Sequence, residues 1–169
     1  MKTLYLLRHA KSDWDQGLPD IERPLNKRGK RDAPLMAKFF ADVEDVPEIT
    51  IFCSPAQRTQ DTAEPFRKYK PADFIVEHDL YESGGAMYLD VIRKIDDDID
   101  KAMLIGHNPS TEQAVSALLT GSAANYIVQV PTCCLIRIDL PFADWDKAGK
   151  YAAALRWMIT PKLLLKHSG

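Results

Sequence analysis

The sequence predicts an α/β fold, a mainly parallel sheet flanked by helices on both faces, with an antiparallel edge near the C-terminus. Three short apolar runs, at residues 2–8, 49–53 and 102–105, alternate with stretches of helical periodicity. Near-continuous apolar runs of that length belong to strands buried on both faces, and their alternation with helices builds a parallel sheet. The last third changes character, with β-rich runs at 133–140 and 152–159 joined only by a polar segment around Asp144-Trp145-Asp146, as in a long-looped hairpin. A chain of 169 residues with 46% hydrophobic and 27% charged side chains is read as one domain over 1–169 around one core.

Each element has a local reason. The first strand, 2–8, gives way to a loop rich in Asp, Gly and Pro over 13–24. Asn26 is placed to cap a helix from 27 to about 43, in which Leu35, Met36, Phe39 and Phe40 recur at helical spacing. Pro47 breaks the chain before the second strand. Ser54-Pro55 then reads as an N-cap with proline at the first helical position, which puts Arg58 in the first turn. A short strand at 74–77 and a helix from 86 to about 95 follow. The strand at 102–105 ends in Gly106-His107-Asn108-Pro109, where Asn108 and Pro109 suit a cap and first position before a helix at 114–119. The basic tail after Pro161 reads as a surface terminus.

Composition excludes several classes. With 22 basic and 24 acidic side chains the formal charge is −2, which gives no global attraction to nucleic acid or an anionic membrane. No run reaches the roughly 20 apolar residues of a membrane span, and no secretory apolar region opens the chain, so a cytoplasmic protein is expected. Cys53, Cys133 and Cys134 lack metal-ligand spacing and read as buried reduced thiols. Asp96-Asp97-Asp98 with Asp100 lacks the spacing of a calcium loop and reads as a solvated turn. Nothing calls for a metal or a cofactor. The oligomeric state is left open.

The chemistry gathers at strand ends. Parallel sheets collect ligands beyond the carboxyl ends of their strands. Arg8 and His9 leave the first strand, Arg58 follows the second, and His107 follows the fourth. Two guanidiniums and two imidazoles around one pocket suit a tetrahedral phosphoryl group, whose oxygens need fixed positive donors. The basic cluster of Arg23, Lys27, Arg28, Lys30 and Arg31 reads chiefly as a solvated face, with Arg23 and its neighbours alternatively bordering the pocket. Trp14, Trp145 and Trp157 read as packing or rim residues.

The motifs Leu-Leu-Arg8-His9-Ala10-Lys11-Ser12, Glu22-Arg23-Pro24-Leu25-Asn26-Lys27-Arg28-Gly29, Ser54-Pro55-Ala56-Gln57-Arg58-Thr59 with Thr62-Ala63, Leu80-Tyr81-Glu82, and Ile105-Gly106-His107-Asn108-Pro109 occur in order. Their order and spacing resemble the histidine phosphatase superfamily, the phosphoglycerate mutase-like fold, and within it the SixA-type phosphohistidine phosphatase branch. The likeness extends to Leu155-Arg156-Trp157 and Thr160-Pro161-Lys162-Leu163. Ala10 departs from the wider superfamily, which usually has Gly there; Ala implies a negative φ and a slightly narrower pocket floor.

The resemblance implies roles. His9 would be a nucleophile carrying a phosphohistidine intermediate, with Arg8, Arg58 and His107 neutralising phosphoryl oxygens and Ser12 and Asn108 counted among the substrate-binding groups. The adjacent arginines should keep the His9 imidazole neutral. Glu82 lies where relatives carry a carboxyl that protonates the leaving group, a step that an ester needs and a protonated imidazole hardly does. The implied partner is a protein phosphohistidine or a small phosphorylated substrate. The short connections between motifs leave no space for lid insertions, which favours an open site and hydrolysis over mutase chemistry. The alternatives are a small-molecule phosphomonoesterase or mutase, and, from another class, a non-catalytic phosphate-binding module.

Overall fold

The structure, a computed structural model, describes residues 1–81, 84–150 and 152–167. In chain order the main elements are β1 (Lys2–Arg8), α1 (Lys27–Val43), β2 (Ile49–Cys53), α2 (Gln57–Arg67), β3 (Asp73–Val76), α3 (Gly85–Arg93), β4 (Lys101–Gly106), α4 (Ser110–Thr120), β5 (Leu135–Leu140), β6 (Ala154–Ile159) and α5 (Pro161–His167). They form one six-stranded sheet in the order β3-β2-β4-β1-β5-β6. The first four strands run parallel, whereas β5 pairs antiparallel with β1, and β6 antiparallel with β5. The predicted parallel sheet with an antiparallel C-terminal edge is thus present.

The alternation of side chains along each strand divides the core into two layers. Leu4 and Leu6 of β1 and Leu104 of β4 face one side, under α3 and α4, with Tyr88, Ile92, Val115 and Leu118. Tyr5, Leu7, Met103 and Ile105 face the other, under α1 and α2, with Met36, Phe40, Ala63 and Phe66. Tyr5 meets Phe40 edge-on at 4.9 Å between ring centres, a contact worth about 0.5–1.5 kcal/mol beyond area burial. On each face the two helices also pack on one another.

Several boundaries differ from the sequence reading, for identifiable reasons. Helix α2 begins at Gln57 rather than Pro55, and Ala56, not Ser54, holds the cap position without a side-chain bond. Ser54 is diverted: its carbonyl accepts from Thr59 Oγ1 and Gln60 Nε2, and its hydroxyl turns to His107. Helix α4 starts at Ser110, with Pro109 as its cap residue. Asn108 does not cap it: its Nδ2 donates to Glu112 Oε1 and the Val130 carbonyl, and its Oδ1 accepts from no group among the described residues. Strand β5 starts at Leu135, two residues late, since Cys133 sits at φ +60°. The tail from Pro161 to His167 is a helix. Asn26 caps α1 as expected, accepting from the Gly29 N–H at 3.0 Å. Asp97 and Asp100 are more than a solvated turn: the Asp97 carbonyl and the Asp100 carboxylate both hold the Lys2 ammonium, and Asp97 Oδ1 accepts from the Trp145 N–H. All three cysteines are buried free thiols.

Gly106, the last residue of β4, is required by close approach. A Cβ there would lie 1.9 Å from Tyr88 Oη, the hydroxyl that accepts the His107 N–H at 2.9 Å and donates to the Leu80 carbonyl. Gly106→Ala is therefore expected to destabilise the fold by about 1–3 kcal/mol through overpacking. A lower urea midpoint with an unchanged slope is the expected readout.

Candidate active site

The strand order brings the ends of β1 and β2 to either side of β4. Arg8 is in register with Gly106, and Cys53 with Ile105. The chain leaving each flanking strand stays tied to β4: the His9 N–H donates to the Gly106 carbonyl at 2.9 Å, and the Ser54 N–H to the Ile105 carbonyl at 3.0 Å. From the other side, the Cys133 N–H is shared between the carbonyls of Arg8 and His9 at 3.1 and 3.0 Å. Between these ends lies a cleft of about 230 Å³ lined by Arg8, His9, Ser12, Arg58, His107 and Asn108, all foreseen, together with Lys11, Trp14, Arg23 and Thr132.

His9 is held in one tautomer. Its Nδ1 lies 2.7 Å from the Ala10 carbonyl, which can only accept, so Nδ1 carries the proton and Nε2 keeps its lone pair. The Ala10 N–H donates in turn to Thr62 Oγ1, which donates to the Arg58 carbonyl, so the loop after His9 and the first turn of α2 are fixed together. Ala10 keeps a negative φ, as the residue type requires. The His9 imidazole is pushed down to about 4. Burial is the leading cause, opposed by the Ala10 hydrogen bond and reinforced by Arg58, Arg8 and Arg23. The neutral state anticipated from adjacent cations thus owes more to desolvation than to charge.

His107 stands with its ring centre 5.2 Å from that of His9 and is lowered to about 3, by burial first and then by His9, Arg58 and Arg8, against Asp20. Its Nε2 is 2.8 Å from Ser54 Oγ. A hydroxyl donating to Nε2 leaves the proton on Nδ1, a buried nitrogen without a hydrogen-bond partner among the described residues. In that tautomer Nδ1 is an unsatisfied donor on a ring that lines the cleft.

The arginines are anchored by carbonyls and by one carboxylate. Arg8 Nη1 donates to the Val130 carbonyl at 2.8 Å, and burial lowers its pKa from the usual value. Arg58 places Nη1 on the Asp20 carbonyl at 2.7 Å and Nη2 on Asp20 Oδ2 at 3.0 Å. The same carboxylate takes Arg23 Nε and Nη2 on Oδ1, and the Tyr81 hydroxyl on Oδ2. These donors hold Asp20 at about 2 despite the opposing effect of its partial burial. Arg23 also donates to Ser12 Oγ at 2.9 Å, and its guanidinium lies 3.6 Å from the ring centre of Trp14, itself 68% exposed at the rim.

The solvated-face reading therefore fails for Arg23, only 8% exposed and part of the cleft. Ser12 lines the cleft but acts on Arg23 rather than standing free. Glu82 lies outside the described residues. Asp20 and Ser54 were not anticipated as site residues: Asp20 sits in a loop without periodic pattern, and Ser54 resembled an ordinary helix cap. The Asp20-Ile-Glu-Arg23-Pro spacing was the available signal, since i and i+3 in a helical turn bring carboxylate to guanidinium.

A buried cationic cleft with a neutral, tautomer-locked histidine defines a phosphoryl-handling α/β enzyme. The chain belongs to the histidine phosphatase superfamily, branch 1, whose family model matches residues 4–111, and it is a phosphatase of that superfamily. Among curated relatives, an uncharacterised chloroplastic protein of Arabidopsis thaliana is 28% identical over 94% of this chain and 75% of its own length. Among solved structures, a protein assigned as the phosphohistidine phosphatase SixA of Agrobacterium tumefaciens superposes with a TM-score of 0.77 at 25% identity, covering 95% of this chain and 98% of its own. A protein assigned as an alpha-ribazole-5'-phosphate phosphatase of Escherichia coli shares the fold, with a TM-score of 0.74 at 16% identity over 95% and 98% of the two chains. No helix among the described residues is long and apolar enough to cross a membrane.

Two outcomes are expected from this geometry. His9 and His107 titrate near 6.5 when unfolded but at about 4 and about 3 when folded, so the unfolded chain binds more protons in between. Stability therefore falls as pH drops from about 6.5 toward 4 and returns as it rises; in urea titrations across that window, His9→Gln should decline less steeply than the parent. Asp20→Asn removes the anion resident on Arg58, and inorganic phosphate should bind roughly two- to fivefold more tightly by calorimetry.

Proposed function

We propose that the protein hydrolyses protein phosphohistidine without a metal, through a covalent phosphohistidine intermediate on His9. The observation that carries this reading is the pairing of His9 Nδ1 with the Ala10 carbonyl, which leaves Nε2 as the nucleophile in a cationic cleft. In the first step the Nε2 lone pair forms a bond to phosphorus as the bond to the leaving group breaks, and the departing group keeps that electron pair. The positive charge that develops on the imidazole is met by the Nδ1–H···O=C bond to Ala10. Arg8 and Arg58 neutralise the non-bridging oxygens and the uncharged His107 ring donates to one of them through Nδ1, while Ser12 and Asn108 hold neighbouring groups of the cleft in place. In the second step water attacks phosphorus, the P–Nε2 bond breaks, and inorganic phosphate leaves with His9 restored as the neutral base.

The choice of phosphohistidine rests on leaving-group chemistry and on the likeness to the SixA protein. An imidazole leaving group that is already protonated departs without an acid, whereas an alkoxide needs one. Asp20, held at about 2, is ionised at neutral pH and cannot supply that proton. Glu82 is the candidate for it. The likeness to the alpha-ribazole-5'-phosphate phosphatase supports a second reading, a small-molecule phosphomonoesterase.

The test is phosphate release from a phosphohistidine protein and from an aryl phosphate, with EDTA present. His9→Ala is expected to lose at least about 10³-fold in turnover on both, and Arg58→Ala roughly 10²–10³-fold. Glu82→Gln should spare the phosphohistidine protein and slow the ester. Strong turnover of a sugar or glycerate phosphate with little release from the phosphohistidine protein favours the small-molecule reading, equal slowing of both substrates by Glu82→Gln removes its leaving-group role, and full activity of His9→Ala overturns the mechanism.

A further inference from the structure

Beside the catalytic cleft, and separate from it except at Thr132, runs a larger groove of about 470 Å³. Its walls are the first turns of α1, the segment before β5, and helix α5. This volume falls within the roughly 300–1,000 Å³ of sites that enclose small ligands or a few side chains of a peptide.

Charge in the groove is one-sided. Arg28 and Arg31 enter it from α1, and Lys162 and Lys166 from α5. Against these four cations stands one carboxylate, Asp32, whose side chain is 4% exposed and is shared by both arginines, at 3.6 Å from Arg28 and 2.7 Å from Arg31. Lys162 and Lys166 form no ion pair among the described residues. The excess is local, because the chain as a whole carries −2. Between the cations the floor is apolar, with Pro131, Pro161 and the 43% exposed Leu165.

Arg28 links the groove to the cleft. Its Nη2 donates to Thr132 Oγ1 at 2.9 Å, and Thr132 lines both. A polypeptide whose modified residue entered the cleft would therefore continue over Thr132 into the cationic groove, each further residue advancing about 3.3–3.6 Å when extended. The apolar floor and the lack, among the described residues that line the groove, of an aromatic side chain on which bases could stack favour a peptide over a nucleic acid.

We propose that this groove is a docking site for an acidic segment flanking the phosphorylated residue of a phosphoprotein substrate. The proposal rests on the phosphatase reading above, and it names the feature that selects among phosphoproteins. Complementary charge of this kind governs partner choice and association rate more than chemistry. Turnover of a small phosphate ester, which reaches only the cleft, is independent of it.

The test separates docking from catalysis. Binding of an unphosphorylated peptide with three glutamates beside a histidine, against its glutamine counterpart, is read by fluorescence anisotropy at low and moderate salt. The glutamate peptide is expected to bind about tenfold more tightly, with the preference weakening as salt rises. Lys162→Glu with Lys166→Glu should abolish the preference while leaving aryl phosphate turnover within about twofold of the parent. Equal binding of the two peptides, a preference that survives the double substitution, or equal affinity for a single-stranded oligonucleotide of matching charge would overturn the docking site. Loss of aryl phosphate turnover in the parent protein would instead count against the phosphatase reading, since the binding measurement does not depend on it.

Discussion

Everything in the cleft depends on the register with which β4 is clamped between β1 and β2. Because Arg8 pairs with Gly106 and Cys53 with Ile105, three chains leave the sheet at the same height, the two flanking ones each one strand spacing from β4. A slip of one residue in β4 would turn Leu104 and Ile105 to the opposite faces and carry His107 away from His9. The apolar layers on the two faces forbid that slip, so the core that folds the protein also sets the separation of its two imidazoles. Gly106 is the visible cost of the arrangement, the place where Tyr88 must come so close that no side chain fits.

The second dependence is on hydrogen bonds that reach the site from outside it. Thr62 joins the loop after His9 to the turn that carries Arg58, and Ser54 joins the end of β2 to His107. Cys133 joins the antiparallel edge to the backbone of both Arg8 and His9. That last link is made by a residue other than glycine at positive φ, a conformation costing of order 1–3 kcal/mol, which the surrounding packing must offset. The antiparallel hairpin is thus part of the support of the site rather than an appendage to the sheet.

The order of the strands and of the first four helices, the covering of both sheet faces and the convergence of Arg8, His9, Arg58 and His107 were legible in the sequence, whereas the terminal helix α5 was not. Apolar runs that end abruptly in charged residues carry that information locally. Capping was less legible, because Ser54 and Asn108 have side chains that suit a helix start equally well and a tertiary partner better. Asp20 was not legible as a site residue, and Arg23 at the pocket only as an alternative to a solvated face. Their i, i+3 spacing reports the ion pair between them, but the turn of that loop into the cleft is fixed by contacts with α2 and Tyr81, which are distant in sequence. For His9, the sequence pointed to neighbouring cations as the cause of neutrality, whereas the packing around the ring contributes more.

Asp20 has a consequence for how the cleft handles anions. The Arg58 guanidinium is not bare when the cleft is empty; it already holds a carboxylate oxygen and a carbonyl. An arriving oxyanion that takes this guanidinium therefore exchanges with a resident one instead of neutralising a naked charge, and a departing one hands it back to Asp20. Such exchange lowers affinity for every oxyanion by a common factor, substrate and product alike. It also spares the folded protein an uncompensated buried cation between turnovers. The site is built as a replaceable ion pair, in which the incoming group completes a structure that was never left open.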